Sequence, residues 1–331
     1  MDNKWTILHY KKEHETEWDN FVQEQSINGV FLHQRRFLNY HPEHRFQDAS
    51  LLFYYNGNLA AVCPSCMIIE NQEKIFYSHQ GTTYGGLVIS KKIYKAELIF
   101  ELIDCLENYL TANNYTQCLL KPTMNLLSNP SMDLMEFCLS YRGYKEYKEI
   151  STYINYSNYN PEVIKNLSHM KQRLVKKNIK AGVMYKELKT DEELQNFHSI
   201  LSINLKKYHT KPVHSLKELL DLKHNRLQKE LKFYGAYLEE KLVSATMVFE
   251  FEKYKCAHTQ YLAADLQYNK LSPMSFVYYK TAELYLKKGY HYLSWGIATE
   301  DRGTKINMGL LKNKEDFGSE YIMVKSYEKI F

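Results

Sequence analysis

Apolar residues recur along the chain in two rhythms, one typical of strands and one typical of amphipathic helices. In the first half, two apolar runs flank an Asn-Gly turn at 56–57, which is the strongest short signal for a β-hairpin. Residues 95–112 repeat apolar side chains every three or four positions, which predicts a helix. A predicted strand at 74–77 precedes this helix, and another at 117–120 follows it.

The second half shows the same order of elements. Its predicted elements are the strands 233–238, 242–251 and 256–263, a helix over 272–288, and the strand 291–295. Ser272 as N-cap, Pro273 at the first helical position and Gly289 after the last turn define that helix. The pattern therefore predicts two tandem α/β units, with an accidental match of common elements as the alternative.

A Tyr- and Asn-rich segment at 153–159 lies between the two copies, followed by predicted helices over 161–181, 190–210 and 215–230. We therefore place the boundary between two domains near residue 150.

Composition fits a globular protein of about two domains. The chain has 331 residues, 44% of them hydrophobic and 24% charged, and no apolar stretch long enough to span a membrane. The N-terminus has no apolar segment typical of a signal peptide, and six cysteines are too few for a disulfide scaffold. These features favour a cytoplasmic protein.

The net charge of +5, from 43 basic and 38 acidic residues, is smaller than is usual for a nucleic-acid-binding protein but leaves room for an anionic ligand, in particular one that carries phosphate. Residues 165–180 carry six basic side chains and no acidic one. This stretch is either a solvated helix face or a phosphate-binding site, in which Arg173 and Lys177 are the candidate ligands.

Three further motifs are candidates for function. The Cys-x-x-Cys pair at 63–66 has no second pair to complete a zinc site, so we interpret both cysteines as structural and predict no metal. The segment 78–86, with His79, Gly85 and Gly86, is either an irregular turn or a loop that approaches a ligand closely. The loop 209–214 has a histidine at each end but no nearby acid, which is poor for metal binding.

The sequence resembles the FemAB/FemX-like branch of the GNAT acyltransferase superfamily over nearly its whole length. The resemblance rests on residues 31–42, 48–51, 78–86, 167–182, 209–214 and 296–318. It implies an α/β (α+β) fold of two GNAT-like domains, 1–150 and 151–318, each a mixed, mostly antiparallel sheet flanked by helices. It also implies that a C-terminal strand within 319–331 returns to the first domain.

The segment 314–318, Lys-Glu-Asp-Phe-Gly, looks like the end of the Phe-Lys-x-x-Phe-Gly motif of the peptidoglycan-bridge enzymes. Lys314 then matches the family lysine that stabilises negative charge during acyl transfer. Asn313 departs from the family's Phe, and neither half has the R/Q-x-x-G-x-G/A loop that holds acetyl-CoA in ordinary GNAT enzymes. The long helical hairpin arm of FemA is missing too, so the more distant similarity to GNAT-like proteins linked to polysaccharide biosynthesis fits better.

The resemblance implies an N-acyltransferase of cell-envelope or polysaccharide biosynthesis. Its acceptor would be an amine on a nucleotide-linked sugar or muropeptide-like molecule, and its donor acyl-CoA, with aminoacyl-tRNA as the alternative. Lys314 would stabilise the oxyanion, and Glu300 or His79 would be the general base. The expected substrate- and phosphate-binding residues are Arg173, Lys177, Gly85, Gly86, His209, His214 and Asn307. The alternatives are a non-catalytic GNAT-fold ligand-binding protein and a tRNA-dependent peptidoglycan-bridge aminoacyltransferase.

We further expect the two GNAT-like copies to form one shared ligand-binding site in a cleft between them, because small-molecule sites favour domain interfaces.

Overall fold

The computed structural model describes residues 4–206 and 210–331, and the chain divides into two compact units. The first unit is Met1–Glu149 together with Met323–Phe331, and the second unit is Ile150–Ile322. No helix in the described residues combines the length and the apolar character that crossing a bilayer requires.

Among the residues described, eight strands and four α-helices lie wholly within the first unit. The strands are β1 (Trp5–His9), β2 (Gln47–Asp48), β3 (Leu51–Tyr55), β4 (Asn58–Cys63), β5 (Cys66–Glu70), β6 (Glu73–Ser78), β7 (Val88–Ile89) and β8 (Gln117–Leu120). The helices are α1 (Glu15–Asn20), α2 (Arg35–Leu38), α3 (Ala96–Ala112) and α4 (Asp133–Tyr141).

The predicted hairpin and helix of the first half are both confirmed. Strands β3 and β4 pair antiparallel across a turn in which Asn56 (φ 48°) and Gly57 (φ 76°) are both left-handed, the conformation that a two-residue hairpin turn requires. The apolar stripe of α3 is fully buried in the core of the unit. Strand β6 precedes α3 in the chain and β8 follows it, and these two strands pair in parallel.

The remaining strands and helices follow in chain order. The strands are β9 (Lys145–Asn155), β10 (Met184–Glu187), β11 (Leu231–Leu238), β12 (Lys241–Phe251), β13 (Cys256–Ala264), β14 (Tyr292–Ile297), β15 (Thr299–Glu300), β16 (Lys305–Ile306) and β17 (Glu320–Ile330). The helices are α5 (His169–Lys180), α6 (Asp191–Lys206), α7 (Leu216–Asp221), α8 (Pro273–Lys287) and α9 (Met308–Glu315).

The sheet of the second unit runs in the order β10-β11-β12-β13-β14-β9. Its pairs are antiparallel except β13 and β14, which are parallel and are joined through α8. Each unit thus has an antiparallel hairpin, a further strand, one long helix and a closing strand parallel to that further strand, which is the order of elements that the sequence predicts. In the first unit the hairpin β3–β4 belongs to a separate sheet, β1-β3-β4-β7. Residues Tyr327–Ile330 of β17 pair with β8 in the first unit.

Three details differ from the sequence-based expectations. The predicted helix 161–181 is a 3-10 turn, Val163–Asn166, followed by α5, because Ser168 begins a new helix by accepting a hydrogen bond from the Lys171 N–H. The predicted helix 215–230 is the short α7 followed by the π-helical turn Leu222–Arg226. Ser272 does precede α8, but its hydroxyl contacts the Ser275 hydroxyl (3.0 Å) and does not cap the helix.

The Cys-x-x-Cys segment is the bend between β4 and β5. Both thiols are free and buried, and burial raises the pKa of Cys63 to about 12 and that of Cys66 to about 11. These cysteines are packed as small apolar side chains.

Candidate functional site

Lys314 lies on the buried face of α9 in the second unit. Helix α9 is capped by Asn307, whose side-chain oxygen accepts a hydrogen bond from the Leu310 N–H (3.0 Å). The Lys314 side chain is 3% exposed, and its ammonium donates to the carbonyl oxygens of Gly296 and Ile297, each at 2.8 Å. The ammonium is therefore fixed at the C-terminal end of β14, with one of its three N–H groups left over.

The Lys314 ammonium is compensated by carbonyl dipoles and has no carboxylate within ion-pairing distance among the described residues. Burial lowers the pKa of Lys314 to about 8. The side chain thus keeps its charge at pH 7 and loses it in mildly alkaline solution.

Strands β13 and β14 separate close to this lysine. Their parallel pairing ends at His258 and Ser294, although both strands continue. Beyond that point Gly296 pairs with Thr152 of β9, and β13 carries an extra residue, Gln260, relative to β12. We call residues 259–262 of β13 and 295–297 of β14 the strand fork. Among the described residues, no strand pairs with residues 259–262 of β13 on the side of the fork, so backbone groups on that side can bind a ligand.

A buried histidine stands where the fork begins. His258 Nδ1 lies 3.0 Å from Ser294 Oγ, and Ser294 Oγ accepts a hydrogen bond from the Gly296 N–H. Burial, and then the charge of Lys314, lower the pKa of His258 to about 4, so its imidazole is neutral at pH 7. In the sequence, the only signal for this residue is a lone imidazole in strand β13, and it was not among the predicted site residues.

A second buried lysine holds α9 from the other side. Lys171 of α5 is 5% exposed, and its ammonium donates to Asn313 Oδ1 at 2.5 Å. The same ammonium lies 5.1 Å from the centre of the Phe317 ring, which stacks on Tyr278. Asn313, which stands where the resemblance implies a Phe, therefore has a specific partner in this chain.

The other basic side chains of α5 form an exposed stripe. They are Arg173, Lys176, Lys177 and Lys180, spaced as neighbours along one helix face. Lys177 donates to the carbonyl oxygen of Lys270 (2.6 Å). Among the residues described, none of the four has a carboxylate partner. The predicted phosphate-binding role of Arg173 and Lys177 is compatible with this exposure and stays a prediction.

His214 is buried beside the fork strand β13. Its Nδ1 lies 2.7 Å from the hydroxyl of Tyr261 on that strand. The other histidine of this loop, His209, lies outside the described residues. A substrate-binding role for either residue stays a prediction.

The two candidate bases receive little support from their surroundings. Glu300 is exposed in the short hairpin of β15 and β16, and no hydrogen bond or ion pair described for the chain joins it to Lys314 or His258. His79 in the first unit is buried, and its Nδ1 accepts a hydrogen bond from the Gly81 N–H (2.9 Å). Burial lowers the pKa of His79 to about 3, which makes its imidazole a poor base.

The glycines after His79 approach the protein's own backbone. A Cβ on Gly85 would lie 2.4 Å from the Ser78 carbonyl oxygen. Gly86 has a left-handed backbone (φ 73°), and its N–H donates to Ser78 Oγ (2.7 Å). Of the two interpretations left open for this segment, the geometry supports the tight turn, while substrate binding by Gly85 and Gly86 stays a prediction.

A cavity of about 720 Å³ lies elsewhere in the second unit, between α6, the β11–β12 turn and the segment after β13. None of the predicted site residues lines it. No group of three or more His, Cys, Asp or Glu side chains suited to a metal occurs among residues 4–206 and 210–331.

No protein-family model matches this chain, and no curated protein matches it. Solved structures do match. The structure of FemX superposes with a TM-score of 0.71 at 11% identity, covering 98% of this chain and 97% of FemX. A tandem GNAT protein from the clavulanic acid biosynthesis pathway gives 0.58 at 9% identity, covering 98% of both chains. The C-terminal domain of a putative lysylphosphatidylglycerol synthetase from Agrobacterium fabrum gives 0.60 at 10% identity, covering 96% of this chain and 90% of that one.

The chain has the FemX-type tandem GNAT fold. The expected fold class and the resemblance that implied it are thereby confirmed. At this level of identity the comparison establishes the fold alone, so the chemistry must be argued from the residues at the fork. The expectation that the two GNAT-like copies share one site stays a prediction.

Proposed function

We propose that this tandem GNAT protein is an N-acyltransferase whose second unit stabilises the reaction's negative charge with Lys314. The observation that carries the proposal is the buried, carboxylate-free ammonium at the end of β14, beside the strand fork. Burying a cation without a counter-ion is costly, and such a preorganised charge can stabilise negative charge that develops beside it during a reaction.

In the proposed reaction, the nitrogen of an acceptor amine attacks the carbonyl carbon of an activated acyl donor. A C–N bond forms, and the C–S bond of a thioester or the C–O bond of an ester breaks. The carbonyl oxygen becomes an oxyanion in between, and the remaining N–H of Lys314 donates to it. The amine loses a proton to solvent or to a base, and the leaving thiolate or alkoxide takes one up.

The exposed basic stripe of α5 supports a donor or an acceptor that carries phosphate. Its unpaired cations suit a phosphate-bearing molecule, so we propose acyl-CoA as donor, or aminoacyl-tRNA as the alternative, with a nucleotide-linked amino sugar or muropeptide-like acceptor. These substrates would place the protein in cell-envelope or polysaccharide biosynthesis.

A mass-spectrometric screen tests the proposal. The protein is incubated with pairs drawn from acyl-CoAs, charged tRNAs and amino sugars carrying uridine diphosphate, and products are detected by their mass. For a productive pair, Lys314→Met should lower kcat about 100-fold. The matched control Lys312→Met removes an exposed lysine from the same helix and should leave kcat unchanged. A product that Lys314→Met still forms at the normal rate would refute the role of Lys314.

Substitution of the stripe tests the phosphate-bearing substrate. Arg173→Gln with Lys177→Gln should raise KM and leave kcat unchanged, because the stripe would bind substrate and transition state equally. Lys165→Gln is the control, because Lys165 is exposed but already paired with Glu162. For a charged tRNA, binding should also weaken steeply with salt, whereas a single nucleotide should respond only slightly.

A non-catalytic ligand-binding protein is the second candidate. It is favoured by one observation, namely that the Lys314 ammonium already donates to two carbonyl oxygens and so has a structural role. In that case the screen would yield no product, although the protein would still bind one of the ligands.

A further inference from the structure

The basic segment of α5 contains one residue that does not belong to its exposed stripe. Lys171 is buried, and burial lowers its pKa, with Asp316 as the nearby charge that acts in the opposite direction. No carboxylate of the described chain lies within ion-pairing distance of its ammonium. An apolar side chain would fill this position at lower energetic cost, so packing alone does not explain why the residue is a lysine.

Helix α9 has little apolar packing to fix its orientation. Of its eight residues, only Leu311 and Lys314 are buried. Apart from the buried Phe317 that follows the helix, polar contacts hold α9 in place: the hydrogen bond from the Asn307 N–H to the Ala298 carbonyl oxygen, the Lys171–Asn313 hydrogen bond and the bonds of Lys314 to β14. Asn313 and Lys314 are consecutive, so their side chains leave the helix about 100° apart, and fixing one direction fixes the other.

We infer that Lys171 is a positioning residue, which holds Asn313 and thereby aims the Lys314 ammonium at the end of β14. Asn313 stands where the FemX-type motif has an aromatic residue. In this chain the hydrogen bond from Lys171 to Asn313 orients helix α9 at that position. Loss of the contact would let α9 rotate and Lys314 reach water. The inference deepens the proposed function and rests on it for the catalytic consequence only.

The direct test is a titration of Lys314 by NMR in the full chain labelled with ¹³C at lysine Cε, with the signal assigned through Lys314→Met. His258 is the titratable group that faces Lys314, and it stays neutral above pH 7. In the unaltered protein Lys314 should titrate with a pKa of about 8. In Lys171→Met this pKa should rise by about one pH unit or more, because hydration favours the charged form.

Three further variants make the result specific. Lys171→Gln keeps an N–H donor for Asn313 and should restore much of the original Lys314 titration. Asn313→Leu breaks the same contact from the other side and should reproduce the shift, which decides the matter even if Lys171→Met fails to fold. Lys312→Met should change nothing, since Lys312 is exposed.

Unchanged Lys314 titration in both Lys171→Met and Asn313→Leu would overturn the inference. With a substrate pair in hand, Lys171→Met should lower kcat roughly tenfold or more with little change in KM, because a small misplacement of a charged group costs rate rather than binding. If no substrate pair gives a product, the proposed function fails, but the titration still decides whether Lys171 positions Lys314.

Discussion

The stability of the second unit should depend on pH through Lys314. The pKa of this lysine is about 8 in the folded protein against 10.5 for an unburied side chain. The unfolded chain therefore binds more protons than the folded one between these two values, and raising the pH favours the folded state. The whole difference corresponds to about 3 kcal/mol, of which about 2 kcal/mol should appear between pH 7 and pH 9.5.

The measurement compares the unaltered chain with Lys314→Met. The variant also loses two hydrogen bonds to carbonyl oxygens, but that loss does not change with pH and cancels when only the slope is considered. Other titrating groups cancel in the same way, because both proteins contain them. The difference in unfolding free energy should therefore move by about 2 kcal/mol in favour of the unaltered chain as the pH rises.

Urea unfolding followed by ¹⁹F NMR of 5-fluorotryptophan separates the two units. The chain has three tryptophans, of which Trp295 is the one in the second unit, so its signal reports on that unit. Lys312→Met is the control and should run parallel to the unaltered chain at every pH. A difference between the unaltered chain and Lys314→Met that stays flat from pH 7 to 9.5 would show that the Lys314 ammonium is hydrated and not buried.

Two further predictions use the same measurement. Gly85→Ala should destabilise the first unit by about 3 kcal/mol, because its Cβ would lie 2.4 Å from the Ser78 carbonyl oxygen. Gly57→Ala, in an open turn with φ 76°, should cost only about 1–2 kcal/mol. Equal losses of stability in the two variants would contradict the close approach of Gly85 to Ser78. The second unit should lose about 2 kcal/mol between pH 7 and pH 5 relative to His258→Asn, because the pKa of His258 is about 4 when folded and the unfolded imidazole takes up the proton first. Parallel pH profiles for these two proteins would show that the imidazole is accessible to water.

The sequence alone was enough for the main elements of the two repeats and their order. The hairpin turn at 56–57, the apolar stripe of α3 and the Pro273 start of α8 depend on neighbours within a few positions, and those neighbours are read directly from the chain. The tandem fold followed because two such series occur in the same order. Lys314 was found through a motif rather than through periodicity, since its own helix is largely polar.

Burial of polar side chains was decided only by the tertiary structure. Lys171 lies in a basic run whose other members face water, and His258 lies in an apolar strand, so neither residue type nor spacing reveals its partner. The partners, Asn313 and Ser294, are 142 and 36 residues away in the chain. Local sequence fixes which elements form, because backbone hydrogen bonds and turn conformations are short-range. The electrostatics of a site depend on which distant elements exclude water from it, and that is a property of the folded chain alone.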